Sequence, residues 1–520
     1  MKHFTILSTA ILAASVAAYA QTNTDTLTLT RHLDEVVVNA PIAQVTNNKS
    51  VLDRSELNQD NTGQNLPYLL SRVPALVATS DDGLGVGYTY FRIRGTDHTR
   101  INMTVNDVPL NDGESQTVFW VNMTDMASSM SRVNVQRGIG TSTNGSASFG
   151  ASINMETNSS LFASPSDSLL TSSVTLSFNG GMYNTFREMV NAHIVLPNHW
   201  QANARFSKVN SDGFLYRTES DLYSYYGDLG WYGAKTQVIA RFFGGSEKTG
   251  MGWDGVDYNT AYGINGADRR YNPAGEYTTT AMDGSDSIAY YPNQTDNYAQ
   301  QHAQLSLIHR LSTRWTLSAT AHYTHGAGYY DQYTRKKLSS WGLPYSHKAY
   351  GMYRKQLDNH FFGGVVSAKY ISEPIDIQLG GAANYYMGDH FGTLHYLEDT
   401  IILPIDYEYY RNDAQKIDAN IYGKLNWRVI SRAHEDLSLY ADMQYRYVRY
   451  SRNGMNDEDM QDLPLTVDFH FFNPKAGITY RNHGHLLSGS FAIANPIPLL
   501  APVTIALFPL STSRTSFLLL

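Results

Sequence analysis

From about Ser168 onward the chain alternates apolar and polar positions with a period of two, in segments of roughly ten residues. Ile417, Ala419, Ile421, Gly423, Leu425, Trp427 and Val429 share one face, and Asp418, Asn420, Tyr422, Lys424, Asn426 and Arg428 share the other. Trp315, Leu317, Ala319, Ala321 and Tyr323 likewise oppose Thr316, Ser318, Thr320, His322 and Thr324. The same split runs through Leu437 to Tyr447 and through Ile375 to Asn384. The pattern predicts about thirteen strands, near 170–179, 187–196, 200–209, 221–232, 235–246, 298–310, 314–325, 358–371, 375–389, 416–430, 436–451, 467–481 and 485–495. Connections alternate between tight ones near Pro197, Ser312, Glu373, Arg432 and Asn482 and long polar ones at 250–295, 326–355, 390–415 and 453–464. One such strand fits a soluble sandwich with a wet face. Many of them, joined in a short/long rhythm with aromatics near the apolar ends, predict an antiparallel membrane β-barrel with outer-membrane lipid around it.

Composition sharpens this picture. The 37 tyrosines and 40 glycines among 520 residues suit aromatic girdles and tight turns. There is no cysteine, which removes disulfides, thiolate metal sites and cysteine nucleophiles. A formal charge of −8 argues against a nucleic-acid partner. Lys2 and His3, the apolar run Phe4 to Ala18, and Ala18-Tyr19-Ala20 before Gln21 read as a signal peptide over 1–20, too short for a bilayer span. No nucleophile elbow, His-Glu-x-x-His or phosphate loop is present, so an enzyme has no constellation to stand on. Asp457, Glu458, Asp459 and Asp462 lack calcium-loop spacing, and His483 with His485 lacks a third ligand, so no metal or cofactor is assigned.

Residues 41–160 have a different texture. Leu66, Leu69, Leu70 and Val73 have helical spacing until Pro74 ends it, and short β-rich pieces follow, punctuated by Gly and Asn-Asp. This predicts a small α/β domain ahead of the barrel segment at 161–495. Its motifs are Arg92-Ile93-Arg94-Gly95, Val105-Asn106-Asp107-Val108-Pro109, Met130 to Gly138 ("MSRVNVQRG") and Asn144 to Met155 ("NGSASFGASINM"). In order and spacing this set resembles the plug domain of the TonB-dependent outer-membrane receptors. It departs from the family pattern in lacking a Gly after Asp107, in Asn144 where Tyr is usual, and in Gly150-Ala151 for Gly-Gly.

The resemblance implies an α/β plug inside a barrel of about 22 strands. It also implies active, TonB-driven uptake of a scarce ligand across the Gram-negative outer membrane by a monomer. An iron-siderophore complex is the expected cargo. Cobalamin, haem or another organic ligand is the alternative within the family, and a passive porin-like or adhesin barrel the alternative outside it. Asp34, Glu35, Val36, Val37 and Val38 look like a TonB box in a periplasmic tail at 21–40: an unpaired strand able to add to a sheet edge of the partner TonB. The other reading makes Val36 to Val38 the first plug strand. Ligand would meet the plug loops Asp81 to Tyr90 and Asn111 to Trp120, with Tyr88, Glu114, Gln116 and Trp120 as binding residues. Arg94 and Arg137 are expected to form ion pairs between plug and barrel.

After Asn495 the alternation stops, and Pro496, Pro498, Pro502 and Pro509 would delete ladder bonds from any central strand. Single-chain bacterial barrels have even strand numbers. The expectation is therefore a receptor truncated at the C-terminus, its frame lost near Pro496 and its 496–520 tail aberrant. A closed barrel of about 14 strands with an odd tail is the competing reading.

Overall fold

Thirteen long strands stand where the alternation places them: β9 (Ser173–Gly180), β10 (Phe186–Leu196), β11 (Trp200–Ser211), β12 (Ser220–Tyr232), β13 (Thr236–Gly250), β16 (Thr295–Arg310), β17 (Trp315–Lys337), β18 (Lys348–Ile371), β19 (Ile375–Leu397), β20 (Tyr407–Arg432), β21 (Glu435–Gly454), β22 (Leu465–Asn482) and β23 (His485–Ile493). The computed structural model describes residues 49–493 except 145–149, 158–171, 281–283, 433, 457–459, 463 and 484, with short strand pieces at 505–507, 511–512 and 515–516. Asp34 to Val38 and Asp457 to Asp459 lie outside the described residues. The strands pair antiparallel in chain order, and a three-residue strand, β24 (Ile505–Leu507), follows β23. Among the described residues the edges β9 and β24 do not meet, so this 14-stranded sheet is not closed.

The sheet is inside-out relative to a soluble one. Ile421 is 67% exposed on the outer face while Lys424, three residues on, is 4% exposed on the inner face. A wall facing hydrocarbon must turn apolar groups outward, while its polar lumen is satisfied by water or by a plug. The apolar band has two rims. On the side of the tight turns, Trp200, Trp315 and Trp427 are exposed, and Trp315 packs on Tyr370 with ring centroids 5.2 Å apart. Toward the other end, Tyr323, Phe362 and Tyr385 lie side by side across three strands.

Several strands run well past the upper rim, and here the structure corrects the sequence reading. The expected long loops at 326–355 and 390–415 are largely continued β-ladder: Tyr330 still pairs with Lys355, and Lys337 with Lys348. Beyond lipid both faces are wet, so the ladder persists while the alternation that betrays it vanishes. The hairpin tip is folded too, with Leu338, Trp341 and Leu343 buried against Tyr353, Leu394, Tyr409 and Tyr410. The 250–295 connection carries a short helix at Tyr258–Tyr262 and a hairpin of β14 (Glu276–Thr280) and β15 (Asp286–Tyr290).

Within the wall sits the N-terminal domain. Its main sheet combines β1 (Lys49–Asp53), β5 (Ile101–Val105), β6 (Val108–Pro109), β7 (Met130–Arg137) and β8 (Ala151–Thr157), ordered β1-β7-β8-β5-β6. A smaller one joins β2 (Leu76–Ser80), β3 (Thr89–Ile93) and β4 (Thr96–Asp97). Helix α1 (Arg54–Asp60) starts with a capping box between Asp53 and Glu56, and α2 (Leu66–Leu69) begins with Pro67 in its first turn. Leu66, Leu69, Leu70 and Val73 are all buried, as their spacing predicts. Asn106 and Asp107 both have left-handed φ (52° and 67°), so the β5–β6 turn works without the missing glycine because short polar side chains tolerate that region. The core of this domain is continuous with the wall: Tyr226 and Phe243 pack into the cluster formed by Phe91, Ile93, Met103, Met130 and Ile153.

Candidate functional site

Two plug loops face the wall, each held by a carboxylate or a tyrosine. In the loop between β6 and β7, Asp112 accepts from the backbone N–H groups of Glu114 (3.0 Å) and Ser115 (2.7 Å), which fixes a tight turn. Gly113 lies so close to Tyr386 that a Cβ there would meet the ring at 2.5 Å. That approach delivers Glu114 to the wall. Its carboxylate accepts from Tyr386 Oη (3.0 Å) and Tyr450 Oη (2.7 Å) and lies 3.1 Å from His390 Nε2, while Lys416 Nζ donates to the Gly113 carbonyl at 2.7 Å. Burial pushes the Glu114 carboxyl up, but His390, Tyr450 and Tyr386 outweigh it and hold the group below its ordinary value. It is an ionised clasp with 21% of its side chain still exposed.

In the other loop, Asp82 accepts from the backbone N–H groups of Leu84 (3.1 Å), Gly85 (3.0 Å) and Val86 (3.2 Å), shaping the turn that presents Tyr88. The Tyr88 hydroxyl lies within hydrogen-bond distance of two wall carboxyls, Glu247 (3.1 Å) and Asp296, and donates its one proton to one of them. Burial first, and then those two carboxyls, push the hydroxyl well above its ordinary value. The ring meets Trp253 edge-on at 5.7 Å and Phe119 at 6.3 Å, and Trp253 in turn meets Tyr330 at 5.3 Å. An aromatic chain therefore runs from the plug to the base of an outer hairpin.

The remaining predicted residues sit elsewhere. Gln116 has φ 59° and donates to the carbonyls of Asp112 (3.1 Å) and Gly113 (2.9 Å), bracing its own loop. Trp120 is 2% exposed and packs on Phe91 in the plug core, whereas its neighbour Phe119 is 37% exposed and carries the loop's outward aromatic surface. Arg94 is exposed in the turn after β3, where its N–H donates to the Ala75 carbonyl at 2.9 Å. Arg137 is buried and donates to the Pro74 carbonyl at 3.2 Å, within the plug.

A plug–wall ion pair of reversed polarity lies at Asp125. This plug carboxylate is wholly buried, with Arg187 at 2.9 Å and Arg205 at 3.6 Å reaching it from the wall. Ser207 (2.6 Å), Ser128 (2.6 Å) and Asn61 (2.8 Å) donate to it as well. Burial pushes its pKa up, and the guanidiniums of Arg205 and Arg187 bring it below the ordinary value. Its φ of 54° is a left-handed conformation that these contacts hold in place. Lys475 adds a further tie by donating to the Gly140 carbonyl at 2.7 Å, and Asp442 accepts from the Ser142 N–H at 2.8 Å. His390, Tyr386, Tyr450, Arg187 and Arg205 were not legible as site residues. Alternation marks them only as positions on strands, and nothing local tells which plug atom each will meet.

Residues 41–152 match the family described as TonB-dependent Receptor Plug Domain. No match was found among curated protein sequences. Solved structures with a similar fold include the copper transporter OprC, with a TM-score of 0.62 and 13% identity over 87% of this chain and 65% of that one. The unliganded ferric citrate transporter FecA has a TM-score of 0.62 and 12% identity over 86% of this chain and 62% of that one. The ferric yersiniabactin uptake receptor FyuA from Yersinia pestis has a TM-score of 0.61 and 11% identity over 89% and 68%. The chain thus spans about two thirds of the length of these proteins.

Proposed function

We propose that this chain, a TonB-dependent receptor in its plug and its wall, carries a scarce small ligand through the Gram-negative outer membrane, and that the ligand is an iron chelate. The observation that supports this reading best is the Glu114 clasp. A carboxylate on a plug loop is held by two tyrosines and a histidine of the wall, so a ligand that competes for those groups acts directly on the plug. Tyr88 is a second tether, and Phe119, 6.3 Å from its ring, supplies exposed aromatic surface there. Several proteins of similar fold are named for ferric chelates, which favours iron within the ligand class.

In this mechanism ligand docks above the plug and loosens the Glu114 and Tyr88 contacts. TonB then takes Asp34 to Val38 as an added strand and pulls. Deleting Asp34 to Val38 and measuring uptake over a panel of ferric chelates, haem and cobalamin tests both halves. Loss of uptake with surface binding retained is the expected result. Undiminished uptake would favour a passive barrel, and uptake of cobalamin or haem alone would replace the iron assignment.

A further inference from the structure

Outside the lumen, on the face of the wall turned to the surroundings, β17 and β18 bring three metal-ligating side chains together. His325 and His360 are directly opposed across the two strands, and their rings stack at 4.8 Å. Asp358, two residues from His360 on the same face, places Oδ1 2.9 Å from His325 Nε2 and 3.8 Å from His360 Nε2. Ligand atoms around a tetrahedral zinc with bonds of about 2.0 Å stand roughly 3.3 Å apart, so both spacings need only small rotamer adjustments. The other ring nitrogens are already engaged: His325 Nδ1 lies 3.3 Å from Gln301 Oε1, and His360 Nδ1 lies 2.8 Å from the Tyr323 hydroxyl. Such outer partners fix the ring orientation and turn each Nε2 toward the third ligand.

We propose that His325, His360 and Asp358 form a divalent metal site of the zinc class, pinning β17 to β18 where the strands leave the lipid. Its level follows from register. Tyr323, Phe362 and Tyr385 form the upper aromatic rim, and Gln301, His325, His360 and Met387 occupy the next outward row beyond it. The site is therefore at the interface rather than in hydrocarbon. Two imidazoles and one carboxylate complete three positions, leaving the fourth to water. This site is independent of the transport reading, because it lies outside the lumen.

The test is equilibrium dialysis of zinc against the full chain in detergent, free of any affinity tag, with metal analysis of the protein. About one equivalent is expected in the native chain. H325A and H360A should each weaken binding by more than 100-fold, Y323F by roughly 10- to 100-fold as an outer partner, and H395A, in a two-member His–Asp pair, not at all. Cobalt added to the native chain should give the visible absorption of a four-coordinate site, a readout that needs no variant to fold. Native chain that binds no zinc, an H325A/H360A double variant that keeps full stoichiometry, or cobalt that stays octahedral would each overturn the assignment.

Discussion

Replacing Asp125 by Asn removes one negative charge from between two buried guanidiniums while keeping the side chain's size. At 2.9 and 3.6 Å the gross attractions to Arg187 and Arg205 are about 6 and about 5 kcal/mol in an effective dielectric of about 20. The cost of desolvating three charges offsets much of this. What remains after one partner is lost from a buried pair is typically about 3–5 kcal/mol, because the surviving charges stay buried and unpaired. Here those charges are Arg187 and Arg205, with side chains 3% and 1% exposed. At about 1.4 kcal/mol per tenfold, D125N should raise the population of undocked plug by two to three and a half decades. Hydrogen exchange read by mass spectrometry along 120–135, in detergent, measures this directly. The native contribution also has a pH signature. The folded-state pKa of Asp125 is depressed, so its stabilisation is complete above the unfolded value of about 3.9 and fades as pH falls through the lower folded value. D125N should abolish that acid-dependent opening. Methionine at positions 187 and 205 in the D125N background should recover part of the loss. Exchange in D125N within about 0.5 kcal/mol of the native chain would refute the view that this triad fastens the plug.

Two further outcomes follow from the same geometry. E114Q keeps a hydrogen-bond acceptor but loses a charge-assisted clasp to Tyr386, Tyr450 and His390, so exchange at 111–118 should rise by about 1.5–3 kcal/mol. With its folded pKa lowered, the native loop should open as pH drops below the unfolded value of about 4.3. Burial pushes His390 down but Glu114 holds it above its ordinary value, so the clasp should also weaken as pH rises through that raised value; the variant should lose the acid-side dependence. I421K places an ammonium on the lipid face midway between the two aromatic rims and should lower wall stability by about 2–4 kcal/mol in urea titrations in lipid vesicles. An unchanged midpoint would mean that this face does not meet lipid.

Lipid is also why so much of the fold could be read beforehand. Hydrocarbon forces every second residue of a spanning strand to be apolar, and Trp315 to Tyr323 announce themselves on that basis alone. Above the rim the constraint lapses. Asp331, Tyr333 and Arg335 carry no alternation, yet they pair with Arg354, Met352 and Tyr350 as regularly as the strand below. The plug site was legible by loop rather than by side chain. Glu114 and Tyr88 reach the wall, while Trp120 and Phe119, adjacent in sequence, face opposite ways, and a short 3-10 turn over Trp120–Met123 sorts them. The Asp125 triad was hidden for another reason: inner-face polarity along β10 and β11 says only that Arg187 and Arg205 avoid lipid, and their common partner is set by how the plug seats.

The height of the β17–β18 hairpin has a bearing on what a molecule approaching from outside meets first. From Tyr323 to Lys337 the ladder climbs fourteen residues, about 46 Å along the strand and about 35 Å vertically for a tilt near 40°. Tyr329, Tyr333, Tyr350 and Tyr353 line that ascent, with Tyr333 and Tyr350 stacked at 5.4 Å and the Arg354 guanidinium 3.6 Å over the Tyr329 ring. A diffusing molecule thus encounters a tall parapet of phenols and stacked cations long before it nears the stopper. On the transport reading proposed above, selection by shape and charge can begin there, well above the plug.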